Sequence, residues 1–362
     1  MSKRLREMVN IVTDWVGVDV SKTTFDAGFV RAGQKYPATE LREVPAQSFE
    51  RSPEGVACFL NWVSELRHNN AEQSQVRVAM EATGKYSIEL SLWLLERQAS
   101  LKPAIVCPSN TAAFIKSLGV RNKTDKLEAR ALAFYGIERE PVAYEPATAE
   151  AAELQALSRY RDALVRDRTA AGNRAGEGSM SKQVRQIQAK RLRLLDGDIK
   201  RVEAEMKRVV EATPQLKTDI ELLSSIYGVG FIVAAVVIAE LGDLRRFRKA
   251  RQLTAFAGVS PRIHLSGTSV TGRPRMCKKG NPRVRQLLYL SALVAVRGRN
   301  DFQRTYTRLL KQGKPPMAAI VAVMRKLLVL MRALLITQTP YDPNWKLRGK
   351  VQPICEKRRK TA

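Results

Sequence analysis

Four carboxylates in three separate motifs are the residues of this chain best suited to chemistry. Asp19 lies in VGVDVSK, Glu81 lies in MEATG, and Asp125 and Glu128 both belong to NKTDKLEA. The first two follow short runs rich in β-branched residues, which predicts that each stands where a strand ends. Asp125 and Glu128 are three residues apart in a predicted helix, so their carboxylates project from one face. Mg²⁺ prefers carboxylate and phosphate oxygens, and the pattern therefore favours phosphoryl transfer on nucleic acid.

The positive charge of the chain is concentrated in its last 150 residues. The 362 residues carry a formal net charge of +27. Lysine plus arginine outnumber aspartate plus glutamate by 19 to 18 in residues 1–145, by 14 to 10 in residues 146–212 and by 29 to 7 in residues 213–362. A basic segment that follows a nearly neutral, acid-bearing segment predicts polyanion binding beside a metal site. Membrane-surface binding fits less well, because no basic amphipathic helix stands apart from the segments predicted to fold.

The composition argues against several other classes of protein. A hydrophobic content of 44% supports a chain with folded cores. No apolar run approaches the roughly 18 residues that a membrane span needs, and no apolar core follows the basic N-terminus as a secretory signal would require. The four cysteines are far apart and lack zinc-ligand spacing, so we expect free thiols in a reducing compartment. We therefore expect a cytoplasmic protein associated with the bacterial nucleoid.

Strand and helix patterns alternate in residues 1–145, which predicts a mixed α/β domain. Residues 14–20 and 24–30 predict a hairpin, and further strands are predicted at 40–44, 76–80 and 104–107. Helices are predicted at 53–67, 88–96 and 109–118, the last capped by Ser109. Thr124 is predicted to cap the helix that carries the acidic pair.

Residues 146–212 predict a helical, coiled-coil region. Apolar residues recur there at heptad spacing, at Leu195, Ile199, Val202, Met206 and Val209. A glycine-rich break at residues 171–179 separates this stripe from an earlier one, so we expect two long helices. An intramolecular hairpin and a contact between subunits explain the pattern equally well.

Residues 213–345 predict a third, mostly helical domain, which a basic tail follows at residues 346–362. Its first feature is an apolar helix, the turn Gly228-Val-Gly230 and a second helix rich in alanine. This pattern is typical of a helix-hairpin-helix motif, whose backbone N–H groups bind phosphate. An ordinary helical hairpin that turns at glycine is the alternative, and the basic residues at 245–251 favour the first interpretation.

A serine-containing loop in the third domain lies within an acid-free basic segment. Residues 265–272 have the sequence LSGTSVTG, which contains the hydroxyl groups of Ser266 and Ser269. The seven surrounding cations are Arg262, Arg273, Arg275, Lys278, Lys279, Arg283 and Arg285. A hydroxyl among such cations is suited to attack a phosphodiester, although loops of this kind more often only bind phosphate.

Taken in order, these motifs resemble the DEDD insertion-sequence transposases, also called bridge-RNA-guided recombinases. The resemblance runs from about residue 13 to Pro343 and includes GVG at 228, AELGD at 239, RQLTAFAG at 251, SGTSVTG at 266 and KGN at 279. It implies an α/β N-terminal RuvC-like (ribonuclease-H-like) domain, a helical coiled-coil middle, and a mostly α C-terminal transposase domain with a helix-hairpin-helix-like motif. It also implies that a serine is the nucleophile and that four acids bind Mg²⁺.

The resemblance assigns roles to individual residues. The expected metal ligands are Asp19, Glu81, Asp125 and Glu128. Ser266 is the expected nucleophile, with Ser269 as the alternative. The fourth acid of the family is an aspartate, so the longer side chain of Glu128 leaves its coordination open. The alternative for Glu128 is a solvated helix residue near Lys126 and Arg130. The glycine turn and the basic segment, apart from the resemblance, predict phosphate contacts from Gly228, Gly230 and the seven cations.

The resemblance also implies the partners and the course of the reaction. The serine and the acids would meet in a composite site between subunits of a dimer or tetramer, and a phosphoserine link would precede strand exchange. A structured non-coding guide RNA would select donor and target DNA by base pairing. A junction resolvase or nuclease that uses activated water is the second hypothesis, and a non-enzymatic nucleic-acid scaffold is the third. A trapped covalent protein–DNA adduct would distinguish the three.

Overall fold

The computed structural model describes residues 12–32, 38–67, 74–119, 124–176, 181–262, 265–266, 270–271 and 275–343. The chain divides into two compact units, Met1–Pro146 and Ala147–Ala362. The first is a mixed α/β domain and the second is mostly helical, which confirms the predicted order of fold classes. In the described part of the chain, no helix has the length and apolar character that crossing a membrane requires.

A five-stranded sheet forms the centre of the first unit. Its strands are β1 (Val12–Val20), β2 (Thr24–Val30), β3 (Ala46–Glu50), β4 (Ser74–Glu81) and β5 (Ala104–Val106). Their order is β3-β2-β1-β4-β5, with β1 antiparallel to β2 and parallel to β4. The predicted hairpin of β1 and β2 is confirmed. Strands predicted at residues 76–80 and 104–107 are also found, with slightly different ends.

The strand predicted at residues 40–44 is wrong. A 3₁₀-helix covers Ala38–Glu43 instead, and β3 begins only at Ala46. Leu41 and Val44 are both buried, at 3% and 1% exposure. Their spacing of three matches one turn of a 3₁₀-helix, whereas a half-buried strand would bury every second residue.

Four helices flank the sheet of the first unit. They are α1 (Pro53–Arg67), α2 (Lys85–Arg97), α3 (Pro108–Ser117) and α4 (Asp125–Arg139). The predicted cap at Ser109 is wrong, because α3 begins at Pro108 after Cys107 and has no side-chain cap. Proline suits this first position, since its fixed φ is helical and its missing N–H would have no partner there. The predicted Thr124 cap of α4 is confirmed, since the Thr124 hydroxyl accepts a 3.3 Å hydrogen bond from the Leu127 amide.

The two faces of β1 have different neighbours. Val16, Val18 and Val20 enter a core that includes side chains of α1 and α2. The opposite face carries Gly17, on which α4 packs so closely that a Cβ there would lie 2.0 Å from the Ala129 carbonyl oxygen. Because side chains alternate along a strand, Asp19 points to the same face as Gly17.

The second unit contains eight α-helices among its described residues. They are α5 (Ala149–Gly176), α6 (Lys182–Ala212), α7 (Pro214–Ser224), α8 (Phe231–Leu241), α9 (Ala250–Phe256), α10 (Pro282–Ala295), α11 (Asp301–Lys311) and α12 (Pro316–Thr337). Helices α5 and α6 pack along each other within one chain, so the intramolecular hairpin forms. Leu154, Met206 and Val209 share one core with α8, α10 and α12. A coiled-coil contact between subunits stays a prediction.

We predict that Gly17→Ala destabilises the first unit by about 1–3 kcal/mol, because the added methyl group must push α4 away from the sheet. Urea unfolding followed by tryptophan fluorescence measures this, since three of the four tryptophans, Trp15, Trp62 and Trp93, lie in that unit.

The matched control is Gly197→Ala in α6, where a Cβ meets nothing within 4 Å. That change should raise stability by about 0.5–1 kcal/mol, measured by circular dichroism, because alanine is the better helix former. A Gly17→Ala protein that unfolds at the wild-type urea concentration would contradict the close approach of α4.

Candidate active site

Asp19 and Glu81 end two neighbouring parallel strands at the same edge of the sheet. The register aligns Val18 of β1 with Met80 of β4, so the next residues, Asp19 and Glu81, stand side by side. Gly17 and Ala79 are likewise aligned, and the alternation of side chains places both carboxylates on the face that α4 covers.

Helix α4 carries the other two predicted acids over this edge. Gly136 packs against the Trp15 ring, and the carbonyl of Ala129 packs against Gly17. The helix therefore runs antiparallel to β1, and its first turn, with Asp125 and Glu128, extends toward Asp19.

The electrostatics of Asp19 show that these acids influence one another. Burial raises the pKa of Asp19, and the negative charges of Glu128, Asp125, Glu81 and Asp26, in that order, raise it further, to about 6 from the usual 3.8. The structure thus brings all four predicted acids into one electrostatic group. Glu128, the residue that differs from the family pattern, makes the largest contribution among the neighbouring charges.

Asp26 and Thr111 belong to this region, although sequence reasoning missed them. Asp26 lies directly opposite Asp19 in the β1–β2 ladder and accepts a 2.5 Å hydrogen bond from Ser48 Oγ. Thr111 is buried in α3, and its Oγ1 donates a 2.6 Å hydrogen bond to Glu81 Oε2. A hairpin with the predicted three-residue connection would align Asp19 with Phe25, whereas the observed register is shifted by one residue and aligns Asp19 with Asp26. No local pattern pointed to Thr111.

These acids suit a divalent cation by their chemistry. Within the described ranges, no group of three or more His, Cys, Asp or Glu side chains is arranged to hold a metal ion. The donors are nonetheless carboxylate oxygens only, the set that hard divalent cations prefer. Burial and then the neighbouring negative charges raise the pKa of Asp19, and a bound cation would offset those charges.

The serine segment forms two short antiparallel ladders. Strand β6 (Pro261–Arg262) pairs with β9 (Arg275–Met276), and β7 (Leu265–Ser266) pairs with β8 (Val270–Thr271). In the inner ladder, Ser266 pairs with Val270. Ser266 directly precedes Gly267 in the sequence. We name residues 261–276 the serine hairpin. Ser269 and Arg273 lie outside the described residues, as do the side chains of Arg262 and Ser266.

The other cations predicted to bind nucleic acid have two kinds of surroundings. Arg275, Lys278 and Lys279 are exposed. Arg285 donates a 2.7 Å hydrogen bond to the Gly280 carbonyl, and burial lowers its pKa. Arg283 is half-buried and engaged in ion pairs inside the second unit. The structure thus leaves the first three accessible to phosphate.

Arg283 belongs to an ion-pair network around Glu240, which sequence reasoning also missed. The Glu240 carboxylate is 2% exposed and contacts Arg283, Arg159 and the Asn281 amide. Burial alone would raise the pKa of Glu240, but the hydrogen bonds from Arg159 and Asn281 and the charge of Arg283 keep it below its usual value. Arg283 also pairs with Asp162 at 2.7 Å. The network joins α5, α8 and α10.

The two glycines of the predicted phosphate-binding turn have different requirements. Gly228 has φ = +89°, and a Cβ there would lie 2.8 Å from the Ser291 carbonyl oxygen of α10. A side chain at position 228 would therefore clash with α10, so this position requires glycine. Gly230 caps the start of α8, and a Cβ there would meet nothing within 4 Å. The two predicted helices on either side of this turn are confirmed, and the helix-hairpin-helix phosphate contact stays a prediction.

Comparison with known proteins identifies relatives along most of the chain. The Moraxella bovis "Pilin gene-inverting protein" is 28% identical over 333 residues, which cover 91% of this chain and 97% of that protein. The "Probable family 20 transposase" of Pseudomonas aeruginosa is 28% identical over 74% of this chain and 86% of its own. The "Transposase for insertion sequence element IS1111A" of Coxiella burnetii is 27% identical over 66% and 72%.

Two domain families match the chain in succession. Residues 16–177, which include the acids, match the DEDD domain of IS110 type described as "Transposase". Residues 220–307, which include the serine hairpin, match the "Transposase IS116/IS110/IS902 family". The chain therefore carries both domains of the IS110/IS116 family and is an insertion-sequence transposase of that family.

Proposed function

We propose that this transposase cuts and rejoins DNA with a metal-binding carboxylate group in its first unit and a serine nucleophile in its second. The observation that carries the proposal is the convergence of the four acids on one face of the sheet, where burial and the charges of the other three contribute to the raised pKa of Asp19. The name of the pilin gene-inverting relative supports rejoining, because inversion of a DNA segment requires both cutting and joining.

The first unit binds Mg²⁺ in this proposal, and its sheet order supports a RuvC-like assignment. The residues that would hold the ion are Asp19, Glu81, Asp125 and Glu128. When bound, the ion would offset negative charge on the phosphate and on its leaving oxygen. Thr111 orients Glu81 through its hydrogen bond, and Asp26 adds negative charge beside Asp19.

The second unit supplies the nucleophile, Ser266. Its hydroxyl oxygen forms a bond to phosphorus, the phosphodiester bond to the leaving strand breaks, and the serine proton is balanced by the proton that the leaving oxygen gains. The product is a phosphoserine ester and a free hydroxyl. Attack by another strand's hydroxyl reverses the step, which joins the new partner and restores the serine without net hydrolysis.

The basic second unit holds the nucleic acids. Exposed Arg275, Lys278 and Lys279 flank the serine hairpin and suit phosphate contacts. Donor and target DNA are the substrates, and a structured non-coding RNA is the proposed guide, which the family resemblance and the charge support. Copurification of the protein with its RNA, followed by sequencing, tests the guide. A dimer or tetramer is the proposed assembly, with α5 and α6 as the contact.

We predict that Ser266→Ala abolishes strand transfer and the covalent protein–DNA adduct, while nucleic-acid affinity stays within about twofold of wild type. Alanine keeps the backbone pairing of Ser266 with Val270, so the hairpin should persist. Adduct trapping on denaturing gels measures the link. Ser269→Ala is the matched control and should remain active. Recombination by Ser266→Ala but not by Ser269→Ala would identify Ser269 as the nucleophile. Recombination by both variants would indicate that water is the nucleophile.

We predict that Asp19→Asn loses activity yet gains stability in the absence of metal. The folded protein holds the Asp19 proton more tightly than the unfolded chain, so ionisation of Asp19 destabilises the fold. This penalty is absent below the unfolded pKa and complete above about pH 6. In EDTA, Asp19→Asn should therefore melt at a higher temperature than wild type near pH 7 and at the same temperature below about pH 4.

Calorimetry measures that stability, and wild-type strand transfer should stop in EDTA and return with Mg²⁺. Full wild-type activity in EDTA would contradict the proposed requirement for a metal ion, regardless of the melting temperatures.

We predict that Glu128→Ala abolishes strand transfer, whereas Glu128→Asp retains it, because aspartate is the residue found at this position in the family. A Mg²⁺ titration of activity for the three proteins measures the effect. The control is Glu138→Ala, which alters an exposed residue near the other end of α4 and should leave strand-transfer activity unchanged. Full activity of Glu128→Ala would show that three acids suffice, and an inactive Glu128→Asp would show a site rebuilt around glutamate.

A further inference from the structure

Phe256, the last residue of α9, is an exposed aromatic ring supported by a second ring. Its side chain is 48% exposed. Its ring centroid lies 5.4 Å from that of Phe247, which packs against the core of the second unit. Phe247 is thus the inner, partly buried ring of this pair and Phe256 the outer ring, with an angle of 51° between their planes.

An arginine lies against both rings. Cζ of Arg246 is 4.9 Å from the centroid of Phe247 and 5.3 Å from that of Phe256. Its guanidinium also donates a 3.0 Å hydrogen bond to the Leu241 carbonyl, which fixes its position. The two rings and this cation therefore form one ordered surface, which we call the aromatic platform (Arg246, Phe247 and Phe256).

The backbone under the platform is held by α12. Arg332 donates hydrogen bonds of 2.8 and 3.1 Å to the carbonyls of Phe247 and Arg248. The platform is consequently preorganised, and a ligand would not have to order the loop when it binds.

Cations surround the platform on two sides. Residues 244–256 contain five lysines or arginines and no acid. Arg248, Lys249 and Arg251 are exposed there, and none forms an ion pair with another described residue. Arg245 differs, because it pairs with Asp219 at 2.5 Å.

The second group of cations reaches the platform from the foot of the serine hairpin. A Cβ at Gly280 would lie 2.2 Å from the Phe256 carbonyl oxygen, and the Lys278 amide donates to the Gly258 carbonyl at 3.1 Å. The exposed side chains of Lys278 and Lys279 therefore emerge beside the segment that ends α9.

We infer that the aromatic platform binds an unpaired base of DNA or RNA by stacking on Phe256, while the surrounding cations bind the flanking phosphates. Every base has a π-face, so stacking of this kind tolerates any sequence, and a nearby guanidinium strengthens it. A protein partner with an acidic surface would use the cations but would not require an aromatic ring. The inference rests on the proposed function, because strand exchange exposes unpaired bases near the residue that cuts.

The test compares oligonucleotides that share a backbone but differ in their bases. Fluorescence anisotropy with the full-length protein would measure binding of labelled oligothymidylate, oligouridylate and an abasic strand of equal length and charge. We expect wild type to favour the base-bearing strands about tenfold. Phe256→Ala should lose this preference and still bind the abasic strand as wild type does. The DNA and RNA arms show which nucleic acid supplies the base.

Matched variants separate stacking from folding. Phe256→Trp should keep the preference, and Phe256→Leu should lose it although it retains an apolar side chain. Tyr160→Ala removes a 58% exposed ring from α5 and should have no effect. If Phe256→Ala unfolds, the Trp and Leu variants decide the question.

Other outcomes would overturn the inference or the function beneath it. Equal loss of base-bearing and abasic binding in Phe256→Ala, or no loss of either, would reject stacking. Wild type that binds both kinds of strand equally would reject the platform but leave the proposed function intact. Wild type that binds no nucleic acid at all would reject the proposed function itself.

Discussion

The first unit depends on the contact between the backbone of α4 and the centre of the sheet. A helix normally rests on side chains, which keep its axis well away from the strands. Here Gly17 removes that spacer on the central strand, and Gly28 does the same on β2, where a Cβ would lie 2.8 Å from the backbone of Arg130. The helix therefore sits low enough for its first turn to place carboxylates at the level of the strand ends. The stability of the sheet and the position of the acids are consequently set by the same close packing.

The second unit uses its charge in two ways. Arg159, Arg245 and Arg283 form ion pairs with buried or half-buried carboxylates, so much of their charge is neutralised within the fold. Lys278 and Lys279, by contrast, are exposed. A net charge read from the sequence does not separate these two groups. The exposed cations available to a polyanion include those beside the serine hairpin and α9, and further ones at the end of α11, such as Arg308, Lys311 and Lys314.

Local patterns predicted the elements well, and long-range contacts account for what they missed. The β-branched runs of β1 and β4 and the threonine before Asp125 carry enough local information to place strands, a cap and the acids. Leu41 and Val44 misled because a short apolar pair fits both a strand and a 3₁₀ turn. Ser109 misled because proline one residue earlier can begin a helix without a cap.

The hydrogen bond from Thr111 to Glu81 joins residues 30 positions apart. It depends on how α3 packs against the sheet, and composition and periodicity carry no such information. Glu240 is a second example. Its sequence motif could be recognised, but its ion-pair partners could not be predicted from the sequence.

The ion-pair network around Glu240 has a consequence for how the family can recombine its own parts. The two regions matched by the family models, residues 16–177 and 220–307, are separate in the sequence. The ion-pair network nevertheless joins them, because Arg159 and Asp162 belong to the first region and their partners Glu240 and Arg283 belong to the second. A chimaera joined between these regions would pair a buried carboxylate with whatever cation the other parent supplies. The natural junction for such exchange is instead near residue 146, where one compact unit gives way to the next. Modules defined by homology and modules defined by buried charge thus have different borders in this chain.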